Sequence, residues 1–179
     1  MFSGMTDTEV HAKCFELIQA ENDRGAALLA AVFAEAALES LILDRLIPNS
    51  GKQKLPVNNF AAKIDLSFRL GIIPEGVANL LHGLRDIRNI FAHQIISDFE
   101  TPSVATKTEA IFKCLPEHYA RFIEHWSSNI NEALKKYNVE IQASAETIKL
   151  RVRFNNYFAQ TIMDLNAIQK TNKRLETVY

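Results

Sequence analysis

Hydrophobic residues recur along most of this chain at three- and four-residue steps, the period of an α-helix. Val10, Cys14, Leu17 and Ile18 predict a first helix over 8–20. A second is predicted over 24–47, capped by Asn22 or Asp23 and ended by the turn cluster Pro48-Asn49-Ser50-Gly51. Asn58 or Asn59 can start a third over 60–70, which Gly71 closes. Pro74, with Glu75 at the favourable dipole end, begins a fourth that runs to His93 or Gln94. Its apolar stripe is Leu80, Leu81, Leu84, Ile87 and Phe91, with Arg88 inside the stripe and Arg85 at its edge. Residues 95–99 form an exit segment broken by Pro102. A short helix over 104–115 is expected to end at Pro116, and another spans 119–137 with Phe122, Trp126, Ile130 and Leu134. Residues 138–144 read as a linker or a short extended piece at Val139 and Ile141. A last helix spans 147–170, with Leu150, Phe154, Phe158, Ile162, Leu165 and Ile168. The expectation is one all-α domain over 7–170, with 1–6 and 171–179 flexible.

The second helix carries an irregularity. Leu28, Val32, Ile42, Leu43 and Leu46 share one arc at about 100° per residue, and Glu35 and Glu39 fall within it. A carboxylate on a buried face needs a partner. Either the two enter an internal ion pair with a basic partner or line a wet cleft, or the helix rolls to bury its Ala-rich sector and the glutamates face solvent. Arg88 on the core face of the fourth helix is the expected partner of Glu39, with Glu35 second. Loss of one member of such a buried pair would cost roughly 3–5 kcal/mol.

Composition adds limits. The chain has 179 residues, 47% of them hydrophobic, with 6 Gly and 5 Pro, which suits one globular domain. Net charge is −1, so no global field draws it to nucleic acid or membrane. Residues 1–100 carry 9 Lys and Arg against 13 Asp and Glu, and 101–179 carry 11 against 8, so phosphate contacts are expected from the C-terminal part. Two cysteines far apart, Cys14 and Cys114, read as reduced core thiols. The start lacks the features of a signal peptide, and the apolar stretch 26–34 is too short to span a bilayer. A soluble cytoplasmic protein with no membrane role is expected.

Phosphate-loop, dinucleotide and zinc-ligand patterns are absent from the sequence, and no metal or cofactor is expected. His118 and His125 share a helical face, but no carboxylate completes a metal set there, and Glu117, Glu124 and His125 read as solvated surface. Basic residues at 149–153 and 170–174, interleaved with Phe154, Tyr157 and Phe158, are either a nucleic-acid face or a solvated helix side whose aromatics enter the core. Direct DNA binding there lacks a helix-turn-helix signature.

The most suggestive chemistry is Arg88-Asn89-Ile90-Phe91-Ala92-His93. An arginine followed by a polar residue, with a histidine five positions on, resembles the motif of the HEPN superfamily. The runs 25–35 (GAALLAAVFAE) and 60–71 (FAAKIDLSFRLG) resemble the mannitol operon repressor-like (MltR-like) branch of all-helical bacterial proteins. The resemblance covers about residues 22–100, and the segment 117–137 has no counterpart. It implies an HEPN-like helical bundle. It also implies two alternative functions. One is a dimeric, metal-independent endoribonuclease, a toxin or defence effector. There His93 is the general acid or base, Arg88 stabilises the pentavalent phosphorane, and Asn89 orients the phosphate or the two catalytic side chains. The other is a non-catalytic transcriptional regulator acting through protein contacts. The implied partners are a second copy of the chain and either RNA or a regulatory protein. Against catalysis stand the expected loss of Arg88 to Glu39 and the angle of about 140° between Arg88 and His93 on an ideal helix. A histidine at a helix C-terminus is also favoured by the dipole alone.

Overall fold

The computed structural model describes residues 4–48, 55, 57–95, 98–139 and 142–176. Among these the chain forms seven helices: α1 Asp7–Ala20, α2 Asp23–Arg45, α3 Phe60–Arg69, α4 Glu75–His93, α5 Pro102–Phe112, α6 Pro116–Lys136 and α7 Leu150–Gln169. The all-α expectation holds. Three of the seven starts follow from side-chain caps. Asn22 accepts from Gly25 N–H, and Asn59 accepts from Ala62 N–H. Thr6 and Glu9 form a reciprocal capping box on α1. At the end of α3, Gly71 takes a positive φ of 66°. Its N–H donates to Phe68 O, and Ile72 N–H donates to Ser67 O, which closes a Schellman motif.

Three expectations change. Pro102 and Pro116 do not break or end helices; each occupies the first turn of one, where a missing N–H costs nothing. The segment 171–179 was expected to be flexible, but the part that is described is tied down. Asn172 Nδ2 donates to Leu41 O (2.7 Å), Arg45 Nη1 to Lys173 O (2.7 Å) and Leu175 N–H to Arg45 O (2.8 Å). At the other end, Thr6 caps α1 and Met5 packs against the core. Residues 1–3, 177–179 and Ile141 lie outside the described residues.

α2 is the central helix. Arg24 at its start bonds Gln94 at the end of α4, so the two run antiparallel. α7 runs parallel to α2, with Arg151 paired to Asp23 at one end and Gln169 bonded to Asp44 at the other. α1 runs antiparallel to α7, from Lys170–Asp7 to Arg151–Ile18 O. Small side chains permit this crowding: Ala26, Ala27, Ala30, Ala31 and Ala34 are all buried. The helix has therefore rolled toward its Ala-rich sector, and Val32, expected in the core stripe, is 51% exposed. By length and hydropathy α2 could also cross a bilayer; here half of its apolar window is buried inside the bundle. The stripe of α4 is buried as expected. Its end is held by an aromatic chain, Phe91–Phe99–Phe154–Phe158, with centroids 5.3, 4.6 and 4.5 Å apart. Phe99 N–H donates to Asp23 Oδ2 at 2.8 Å, which anchors the exit from α4 to the start of α2.

Candidate functional site at the end of α4

Arg88, Asn89 and His93 all lie in the last two turns of α4. Arg88 and Asn89 are half-buried and His93 is exposed. The expected Arg88–Glu39 pair does not form. Glu35 and Glu39 both bind Lys63 of α3, with Nζ 2.9 Å and 2.7 Å from their carboxylates. Lys63 is 7% exposed and sits on the buried face of α3 with Phe60, Ile64 and Ser67. Its aliphatic stem fills that face while the ammonium reaches the edge of α2, where the glutamates are partly wet. Burial alone would lower the Lys63 ammonium; the hydrogen bonds and charges of Glu39 and Glu35 outweigh it and hold it above its ordinary value. The reason for the correction is the roll of α2, which carries the glutamates out of the arc that faces α4.

The other arginine of the motif is also accounted for. Arg85 bonds Asp86 at 2.8 Å, and Lys107 of α5 lies 3.5 Å from the same carboxylate. Burial works to raise the Asp86 carboxyl, but the contacts with Arg85 and Lys107 prevail and hold it below the ordinary carboxylate range. Arg88 is different. Among the described residues its guanidinium meets no carboxylate; it has one long contact, 3.5 Å to Asn89 Oδ1. A half-buried cation beside an amide, with no counter-ion among the described residues, is suited to an external anion. Arg24, which the sequence reading did not single out, adds a second. Its Nη2 donates to the carbonyl of Gln94, the residue after His93, at 3.0 Å, which places a cation at the carbonyl end of α4.

The helix does not loosen near Ala92. It stays α-helical through His93, and Gln94 N–H donates to Ile90 O at 2.9 Å. Within one chain, Arg88 and His93 therefore stay about 140° apart around the axis.

Of the basic C-terminal residues, Arg151, Arg153 and Lys170 are paired within the protein, while Lys149, Lys173 and Arg174 are exposed. Arg151 bonds Asp23 and the carbonyls of Ile18 and Glu21, Arg153 bonds Glu109 and Tyr119, and Lys170 bonds Asp7. These three charges answer helix ends and carboxylates of the protein itself. Among the described residues, no three His, Cys, Asp or Glu side chains gather to hold a metal ion. Comparison of the chain with protein-family models, with curated proteins and with solved structures finds no match in any of the three.

Proposed function

We propose that the chain is a metal-independent endoribonuclease of the HEPN type that works as a cytoplasmic homodimer, in the role of a toxin or defence effector. One observation carries the reading: Lys63 takes both glutamates, which leaves the Arg88 guanidinium without a carboxylate among the described residues. The strongest objection from the sequence was that Glu39 would consume this arginine. The helix separates Arg88 from His93 within a protomer, so the working pair is Arg88 of one protomer and His93 of its partner. The exposed side chains Ile95 and Val32, at the end of α4 and on α2, supply apolar surface for such a contact.

In this arrangement His93 takes the proton from the RNA 2′-hydroxyl as its oxygen attacks phosphorus. The bond from phosphorus to the 5′-oxygen breaks, and that oxygen receives a proton. The products are a 2′,3′-cyclic phosphate and a 5′-hydroxyl. Arg88 neutralises charge on the phosphorane, Asn89 orients Arg88 or the phosphate, and Arg24 adds attraction for the backbone. Loss of His93 or Arg88 would each reduce cleavage by roughly 100-fold or more.

A second reading is the MltR-like regulator that acts through protein contacts. It is favoured by the unbroken helix, which keeps Arg88 and His93 on different faces. Cleavage of RNA in EDTA by the wild type, lost in Arg88→Ala and His93→Ala, supports the enzyme. Folded protein that leaves several RNAs intact supports the regulator.

A further inference from the structure

A cleft of about 700 Å³ opens between α1, α6 and α7. Its origin is the way α6 is held. Tyr119 and Phe122 in the early turns of α6 lean on Tyr157 of α7, at 5.1 and 5.2 Å between centroids. Near its other end, Asn131 exchanges two hydrogen bonds with the backbone of Ala143. Between these anchors the helix is amphipathic, with Phe122, Ile123, Trp126, Ile130 and Leu134 on one side, yet Ser127 is its one buried residue. The volume left under it falls within the range of sites for small organic ligands.

The walls suit a flat ring. On α1, His11 and Phe15 stack at 6.4 Å with planes 5° apart. On α6, Phe122 and Trp126 stack at 5.8 Å with planes 23° apart. All four line the cleft. The rim carries positive charge: Arg121 is exposed, lines the cleft and meets no carboxylate among the described residues. His118 is already committed, with its ring nitrogens 3.1 Å from Asp164 and 3.4 Å from Tyr157 Oη. His125 lies 3.2 Å from Asn129. The floor holds the decisive residue. Asn156 of α7 lines the cleft, is 5% exposed, and its side-chain amide makes no hydrogen bond to a described residue. Its amide atoms are not among those sealed from solvent, so they face the open cleft, where a ligand can reach them. A largely sheltered amide with both donor and acceptor free is the kind of polar group that orients a ligand in an otherwise apolar cleft.

We propose that this cleft binds a planar aromatic anion, its ring between the stacked walls, its polar edge on Asn156 and its phosphate or carboxylate on Arg121. The ligand is either a mononucleotide or an aromatic carboxylate, which share this chemistry. The site is separate from the α4 machinery. Trp126 is the single tryptophan of the chain, so intrinsic fluorescence reports on the cleft directly.

The test is a fluorescence titration of the full chain, repeated by calorimetry, with AMP, UMP, benzoate, adenosine and inorganic phosphate. Saturable quenching by AMP or UMP, or by benzoate, is expected, and which of them binds tighter identifies the source. Adenosine and phosphate, which lack one half of the chemistry, bind about tenfold more weakly or worse. Arg121→Ala weakens binding about tenfold. Asn156→Leu weakens it several-fold with the protein still folded, because the polar edge of the ligand loses its hydrogen-bond partner. Arg88→Ala leaves the titration unchanged. The proposal is overturned if neither nucleotides nor benzoate give a saturable response with folded protein. It is also overturned if Arg121→Ala and Asn156→Leu bind as wild type does.

Discussion

Replacing Lys63 with methionine isolates the contact that frees Arg88. The substitution keeps an unbranched stem in the α3 face but removes the ammonium from two carboxylates at 2.9 and 2.7 Å. Fully buried charged hydrogen bonds contribute about 1.5–3 kcal/mol each, and exposed pairs about 0–1. The Glu35 and Glu39 side chains are 30% and 47% exposed, so each contact falls between these limits. Repulsion between two carboxylates one turn apart adds a few tenths. The net loss is about 2 kcal/mol, or roughly 4–8 °C in Tm for a chain of this size. Arg88→Gln loses one 3.5 Å contact and should stay within about 0.5 kcal/mol of wild type. The Lys63→Met protein that also carries Glu35→Gln and Glu39→Gln should recover most of the loss. Urea unfolding followed by far-ultraviolet circular dichroism reads all four proteins. A result in which Arg88→Gln costs as much as Lys63→Met, or Lys63→Met costs nothing, would refute the reasoning.

The same contact has a pH signature. The ammonium of Lys63 is held above its ordinary value of 10.5, so its contribution is complete below that pH and declines as pH rises through the elevated value. The stability gap between wild type and Lys63→Met should therefore be constant through neutral pH and narrow in alkali, as denaturation at pH 7 and pH 11 would show. Gly83→Ala should destabilise by about 1 kcal/mol, as calorimetry can record. A Cβ there would lie 2.5 Å from Ile111 Cγ1 on α5, and that overlap outweighs the helix preference of alanine. In thiol labelling of the native protein, Cys114 should react first. Cys14 is fully buried, its thiol pushed up to about 12 by burial, and it should label only on unfolding.

Much of the helical frame was legible because its signals are local. Asn22, Asn59 and Gly71 cap where spacing placed them, and the apolar stripes of α4 and α7 are buried nearly as drawn. Pro102 and Pro116 were misread because proline ends one helix and begins another by the same missing donor. The roll of α2 was not legible from hydropathy, which ranks Leu and Val above Ala, whereas packing against several neighbours favours the smallest side chains. Lys63 carried a readable signal. It falls on the helical face of Phe60, Ile64 and Ser67, and a lysine on such a face needs a carboxylate within reach. Which carboxylate depends on contacts between distant helices, so Arg88 drew the wrong assignment. The cleft was partly legible too: His118, Arg121, Phe122, His125 and Trp126 recur at helical spacing, but His11 and Asn156 join them only through the tertiary fold.

The central claim is that Arg88 of one protomer and His93 of another act on the same phosphate. The most direct measurement mixes two inactive proteins, Arg88→Ala and His93→Ala, under conditions that let subunits exchange, and follows RNA cleavage in EDTA. Each mixed dimer then holds one intact Arg88–His93 pair. With random exchange, half the dimers are mixed and half their sites are intact, so activity returns to about a quarter of wild type. Return of cleavage on mixing, absent from either variant alone, is the predicted result. Cleavage that both variants retain, or that stays absent after verified exchange, would contradict it.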